Sequence, residues 1–264
     1  MESKTDKDEA LDIFINEWHV ERGSFLIALR AVLPHSEVSD RIRMRLTQDS
    51  GVLVETSGGL TSCICKVKLG KVPIVSEVPS IEFSAASARL ILSAFKPPRD
   101  KEEREEWEKS FFVVRADGDK VTVINAFDES SDNGDSVSFT QFYPFDEFGR
   151  LCMSDLAKGM GNCMRNGINA TGSSFITMPV RLERWVKTAK VFKTRLIMRT
   201  YDSYVGDMDG RFQGGWIVQV GNISEPGRGA IGMLVMEEFN ADNVKNYASS
   251  LEDAVPLEAW VERA

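Results

Sequence analysis

Long apolar runs are missing from this sequence. No stretch of about 18 or more consecutive apolar residues occurs, and the first ten residues, Met1 to Ala10, are charged rather than apolar. Both absences argue against a transmembrane helix and a secretory leader, and predict a soluble, cytoplasmic protein with no membrane partner. Cysteine is also scarce. Cys63, Cys65, Cys152 and Cys163 are too few and too irregularly placed in 264 residues for a disulfide framework. Cys63 and Cys65 sit two apart in the strand-like run Leu60 to Leu69 and share one face, as small buried hydrophobes do. Cys152 and Cys163 are eleven apart, whereas a zinc site wants two close pairs. Histidine is scarcer still: His19 falls at a strand start and His35 at a helix end, so no Ser/His/Asp or Cys/His set is suggested. The 40 acids make chance carboxylate pairs inevitable, so a pair alone assigns no catalysis. The expectation is a protein that is not an enzyme and needs no cofactor.

Motifs that invite chemistry fail on spacing. Gly159 and Gly161 form a lone G-x-G without a third glycine or a preceding strand, which does not cradle phosphate. The acidic run Asp128 to Asp135 misplaces its glycine by one position from the calcium-loop pattern, and it reads, like the Asp207/Asp209 pair, as a hairpin loop. Asn169 to Thr171 and Asn222 to Ser224 match the glycosylation acceptor by chance.

What the sequence does have is an uneven distribution of charge. Its 32 basic and 40 acidic residues sum to −8. Yet Pro179 to Arg195 holds six basic residues (Arg181, Arg184, Lys187, Lys190, Lys193, Arg195) against one acid, Glu183. An anionic body with one concentrated cationic element orients a polyanion toward that element and repels it elsewhere. The same stretch has Leu182, Trp185, Val186, Ala189 and Phe192 at helical spacing behind Pro179. Trp185 lies on that apolar stripe and reads as a core residue rather than a base-stacking platform.

The pattern of elements repeats. After a flexible lead-in over 1–18, the strand-like His19 to Glu21 precedes a helix with Ser24 as cap, ended by Pro34. Strands are then read at Arg41 to Thr47, Gly51 to Glu55 and Thr61 to Leu69. A second unit follows: strand Ile81 to Phe83, Ser84 as N-cap, a helix stopped by Pro97 and Pro98, an inserted charged stretch Asp100 to Lys109, and strands at Phe111 to Ala116, Lys120 to Asn125 and Ser136 to Phe142. A third runs from strand Ser174 to Met178 through the cationic helix to strands at Arg195 to Asp202, Trp216 to Val220 and Ala230 to Met236. Between Gly149 and Gly172 a less regular stretch places Met153, Leu156, Met160 and Met164 at helical spacing, an abbreviated unit. The tail over 241–264 reads as one or two short helices, the last at Leu257 to Val261. The fold class predicted is α+β, built from tandem β-α-β-β-β units with antiparallel sheets and amphipathic helices on one face. Domain one spans 19–145 and domain two 146–240.

This order of elements resembles the DNA sliding clamp, or processivity factor, family. The likeness is best at His19 to Leu29, running into Arg41 to Thr47 and Val52 to Leu69, which resembles the opening of a bacterial β clamp; Ile81 to Phe95 and Phe111 to Asn125 are similar to the second half of that first domain. Over 174–236 the likeness is one of architecture. Bacterial β clamps have three such domains, and this length is closer to the two-domain clamps of eukaryotes, archaea and some phages. Six domains close a ring in that family, so the resemblance implies a homotrimer in preference to a homodimer. It also implies duplex DNA, a polymerase and a clamp loader as partners.

In such rings the helices line the hole, with cations directed at phosphates and reading no sequence. On a helical wheel Arg184, Lys187 and Lys190 lie opposite or beside the apolar stripe. With Arg181 they are the expected DNA contacts, and Arg30, Arg89, Lys158 and Arg165 on other helices contribute more weakly. By analogy with the family's apolar peptide groove, Phe142, Tyr143, Phe145 and Phe148 mark the candidate partner-binding linker. The competing reading is a β-rich structural or assembly protein, viral or cellular, that uses the basic helix at a subunit interface.

Overall fold

The computed structural model describes residues 16–37, 40–46, 51–57, 61–70, 80–125, 135–142, 179–204 and 212–235. The strand expected at Ser174 to Met178, the stretch 149–172 and the tail 241–264 lie outside them. The first strand, β1, spans Asn16–Glu21 and leads directly into helix α1, Arg22–Val32. Trp18, 1% exposed, therefore belongs to the fold and not to the lead-in. Ser24 is no cap: the N-cap is Glu21, and the Ser24 hydroxyl donates to the Glu21 carbonyl at 3.2 Å while accepting the Lys68 amide. A 3-10 turn, Leu33–His35, ends the helix at Pro34, whose ring cannot continue it.

Strands β2 (Arg41–Leu46), β3 (Val52–Ser57) and β4 (Ser62–Val67) follow. The sequence of β2 alternates apolar and basic residues, and accordingly Ile42 and Met44 enter the core while Arg41, Arg43 and Arg45 take the opposite face. Strand β5 (Ser80–Ser84) runs into α2 (Ala85–Ala94), where the Ser84 hydroxyl accepts the Ser87 amide at 3.0 Å, the cap expected. The charged stretch after Pro98, given no structure from sequence, is a helix, α3 (Lys101–Lys109), capped by the Asp100 carboxylate on two amides. Strands β6 (Phe111–Asp117), β7 (Lys120–Ile124) and β8 (Ser136–Thr140) complete the unit, with Gly118 at φ +56 in the turn between β6 and β7. After them come α4 (Pro179–Phe192), β9 (Leu196–Tyr204), β10 (Phe212–Gly221) and β11 (Gly229–Val235).

Among the described residues every strand pairing is antiparallel, and the first two units exchange their leading strands. Strand β1 pairs with β6, giving a four-stranded sheet β1-β6-β7-β8, whereas β5 pairs with β2. The second sheet is longer, β5-β2-β3-β4-β11-β10-β9, because β11 of the third unit continues it at β4 through Ala230 opposite Cys65 and Ile231 opposite Ile64. Helix α1 packs on β3 and β4, and α4 on β9, β10 and β11 beside α1. One core joins them. Phe112 of β6 sits at its centre, meeting the rings of Phe25, Phe95 and Trp107 at 6.1, 4.8 and 5.8 Å between centroids. Each such ring removed from water contributes about 1.5–3 kcal/mol. The fold is α+β with helices backing antiparallel sheets, as the sequence predicts.

Candidate nucleic-acid interface

Helix α4 turns a different face to the sheet from the one its apolar residues suggest. Arg184, Trp185, Thr188 and Ala189 are buried, while Val186, assigned to the apolar stripe, is 37% exposed. Trp185 sets this rotation. Its indole lies over β11 at Gly232, where an added Cβ would stand 2.9 Å from the ring and collide with the Ser62 carbonyl of β4. Only a glycine lets the helix come that close. The Trp185 side chain is 0% exposed, the core role expected of it.

Arg184 is the main correction. Expected on the DNA-facing side, it is 9% exposed and held in the joint with α1, with its guanidinium 3.0 Å from Glu37 Oε2 and 3.1 Å from Thr61 Oγ1. A wheel drawn on apolar residues alone misplaces it because the groups that receive it, Glu37 and Thr61, are distant in sequence. Arg181 is half-buried on the same side. Lys187 and Lys190 are exposed, as expected, and Lys187 pairs with Glu183 at 3.2 Å one turn earlier. An exposed pair of this kind contributes about 0.3–0.5 kcal/mol and yields readily to a stronger anion. The helix ends at Phe192, and Lys193, with a φ of +51, turns the chain toward β9.

Arg30 is the exposed position of α1, an otherwise almost completely buried helix, and Arg89 is exposed on α2. An exposed residue on a helix packed against a sheet points away from that sheet. Arg30 of α1, Arg89 of α2 and Lys187 and Lys190 of α4 are thus exposed cations carried on three helices. Lys158 and Arg165 lie outside the described residues.

The candidate partner linker is described only at Phe142. Its amide donates to the Glu82 carbonyl at 2.9 Å and the Arg41 guanidinium stands 4.6 Å over its ring. The ring is engaged within the chain and half-buried, so it does not present a free aromatic face. Tyr143, Phe145 and Phe148 lie outside the described residues.

Two polar clusters escape the sequence reading. On the sheet face opposite α1, Glu55, 1% exposed, takes Arg43 at 2.6 Å and Arg45 at 3.1 Å, and Arg41 reaches Glu82 at 3.5 Å. Burial pushes the Glu82 carboxyl above its ordinary range against the pull of Arg43 and Arg41. The alternation of arginines in β2 was the visible signal, but their acceptors come from β3 and β5. The second cluster is the joint itself, where His35 and Thr188, 153 residues apart, meet at 3.1 Å. No pattern in the sequence links them. Among the described residues, no group of three or more His, Cys, Asp and Glu side chains gathers to hold a metal, and no helix is long and apolar enough to cross a membrane.

No family model and no curated protein matches the chain. Solved structures similar to it include DNA polymerase III subunit β from Borrelia burgdorferi (TM-score 0.35, 10% identity, 90% of this chain and 51% of that one). A second is the DnaN sliding clamp from Pseudomonas aeruginosa bound to griselimycin (TM-score 0.42, 10% identity, 91% and 68%). A third is the Helicobacter pylori β clamp bound to a DNA ligase peptide (TM-score 0.35, 11% identity, 84% and 54%). This chain spans about half the length of the Borrelia and Helicobacter proteins.

Proposed function

We propose that this protein is a sliding clamp: its helix-covered side receives duplex DNA without reading sequence, copies of the chain close around the duplex, and the ring tethers a polymerase. The observation that carries the reading is the exposure of Arg30, Arg89, Lys187 and Lys190 on three helices of a chain whose net charge is −8. On a negative body, exposed cations grouped on helices favour the approach of phosphate to those helices. Cations carried on helices packed against sheets supply phosphate contacts whose partners are interchangeable along the duplex, which allows sliding. On this reading the chain does no chemistry of its own. It raises the residence time of an enzyme that does.

The test is charge reversal at the two exposed lysines of α4. Lys187→Glu with Lys190→Glu should weaken binding to duplex DNA at low salt and flatten the dependence of log K on log salt, which runs at roughly −0.9 per phosphate contacted. Fluorescence anisotropy across a salt series reads both quantities. Unchanged affinity and unchanged slope would remove α4 from the DNA surface.

A second reading, an assembly protein, draws on Ile197 and Met198. These residues of β9, the strand at one end of the seven-stranded sheet, are 47% and 38% exposed. Apolar residues at a sheet edge suit strand-to-strand association.

A further inference from the structure

The joint between α1 and α4 is built around a histidine whose protonation state the hydrogen bonds determine. His35 closes the 3-10 turn and is 0% exposed. Its Nε2 lies 3.1 Å from Thr188 Oγ1, and the Thr188 hydroxyl donates its proton to the Ala31 carbonyl at 2.8 Å. Thr188 must then accept from His35, so Nε2 carries the imidazole hydrogen and Nδ1 is a bare lone pair. That Nδ1 is buried with no hydrogen-bond partner among the described residues. The Trp185 ring closes over the imidazole at 4.6 Å between centroids.

Among the described residues, the surroundings offer a second proton no counter-charge. From α4 the group facing His35 is the Arg184 guanidinium, itself a cation. Glu37, two residues beyond His35, is committed to Arg184 at 3.0 Å. From β4, Cys63 donates to the same Ala31 carbonyl, and burial, with Cys65 beside it, pushes its thiol well up, so it stays neutral. From β3, Glu55 points to the opposite sheet face and pairs with Arg43 and Arg45 there. Arg30 of α1 is exposed.

We propose that this joint is a proton-coupled latch: α4 stays docked against the 3-10 turn while His35 is neutral, and undocks with uptake of a proton at Nδ1. Undocking frees Nδ1 to meet water, releases Arg184 from Thr61 and Glu37, and displaces the helix that carries Lys187 and Lys190. The latch does not depend on what α4 binds. Its direction follows from linkage. Burial, and then Arg184, press the docked imidazole down to about 3 from an ordinary 6.5. A group lowered in the docked state leaves docking at full strength above pH 6.5, weakens it as the pH falls from 6.5 toward 3, and adds nothing further below that. At pH 5 the undocked population should rise about 25-fold over its value at pH 7.

Hydrogen exchange on the full chain tests this, with rates corrected for the intrinsic pH dependence of amide exchange. Between pH 7 and pH 5 the amides of Trp185 to Phe192 should lose protection by about 25-fold, while those of β6 and β7 keep theirs. His35→Gln, which can still donate to Thr188 and does not titrate, should abolish the difference. Equal corrected protection of α4 at the two pH values would overturn the latch. So would an equal loss in β6 and β7, which marks global unfolding, or a His35→Gln variant as pH-sensitive as the parent. Should that variant not fold, the comparison of α4 with β6 and β7 in the parent protein still decides.

Discussion

Among the basic residues of α4, neighbours in sequence have opposite work. Arg184 and Lys187 are three residues apart and carry the same charge, but Arg184 is a structural donor to Glu37 and Thr61 and Lys187 faces solvent. Truncation separates the roles. Arg184→Ala leaves Thr61 and the half-exposed Glu37 without their donor and should cost about 1–3 kcal/mol in urea denaturation. Lys187→Ala should stay within about 0.5 kcal/mol. In DNA binding the order should invert, with Lys187→Ala lowering the salt slope and Arg184→Ala leaving it unchanged wherever the variant is folded. Equal stability of the two variants would contradict the placement of Arg184 in the joint.

Of the helices, α3 is the added one. Its sequence, with five glutamates among nine residues, has no apolar stripe beyond Trp107. That single indole anchors it, edge-on to Phe112 at 5.8 Å and beneath the Arg22 guanidinium at 5.4 Å. None of its residues is buried, so the Asp100 cap and the Trp107 contact matter most to it, beside the Lys101–Glu105 pair and the Arg104 bond to the Pro98 carbonyl. Asp100→Ala should therefore unfold α3 locally, costing about 1 kcal/mol by hydrogen exchange confined to residues 101–109, with the protection of α1 unchanged. Helix α1 is the contrary case. Phe25, Leu26, Leu29, Val32 and Leu33 recur at helical spacing in the sequence; the first four are buried and Leu33, in the 3-10 turn, is half-buried. α4 falls between them: its helical period was legible, its rotation was not. Rotation was decided by Trp185 over Gly232 and by polar receptors for Arg184 and Thr188: Ala31 on α1, Glu37 beyond the 3-10 turn and Thr61 just before β4.

At the scale of the molecule the clamp reading makes a claim about closure. Mass photometry should find a discrete small assembly, with three copies expected over two. A closed ring should also stay on closed circular DNA at a salt concentration that releases it from the same DNA once linearised, because a ring is held by topology and leaves over a free end. Retention that does not distinguish circular from linear DNA, together with open or graded oligomers, would support the assembly reading and its exposed β9 residues.

By itself the sequence determined the period of most elements, the α+β class, the cap at Ser84, the stop at Pro34 and the concentration of positive charge in one helix, because these depend on residues within one or two turns of one another. Only the tertiary structure decided which first strand joins which sheet, that β11 continues the sheet at β4, and that Arg184 turns inward while Lys187 and Lys190 remain outside. The reason is the same in each case. Strand partners and buried polar partners are chosen across long separations, 153 residues for His35 and Thr188 and 147 for Arg184 and Glu37, where local spacing carries no information about what will be nearby.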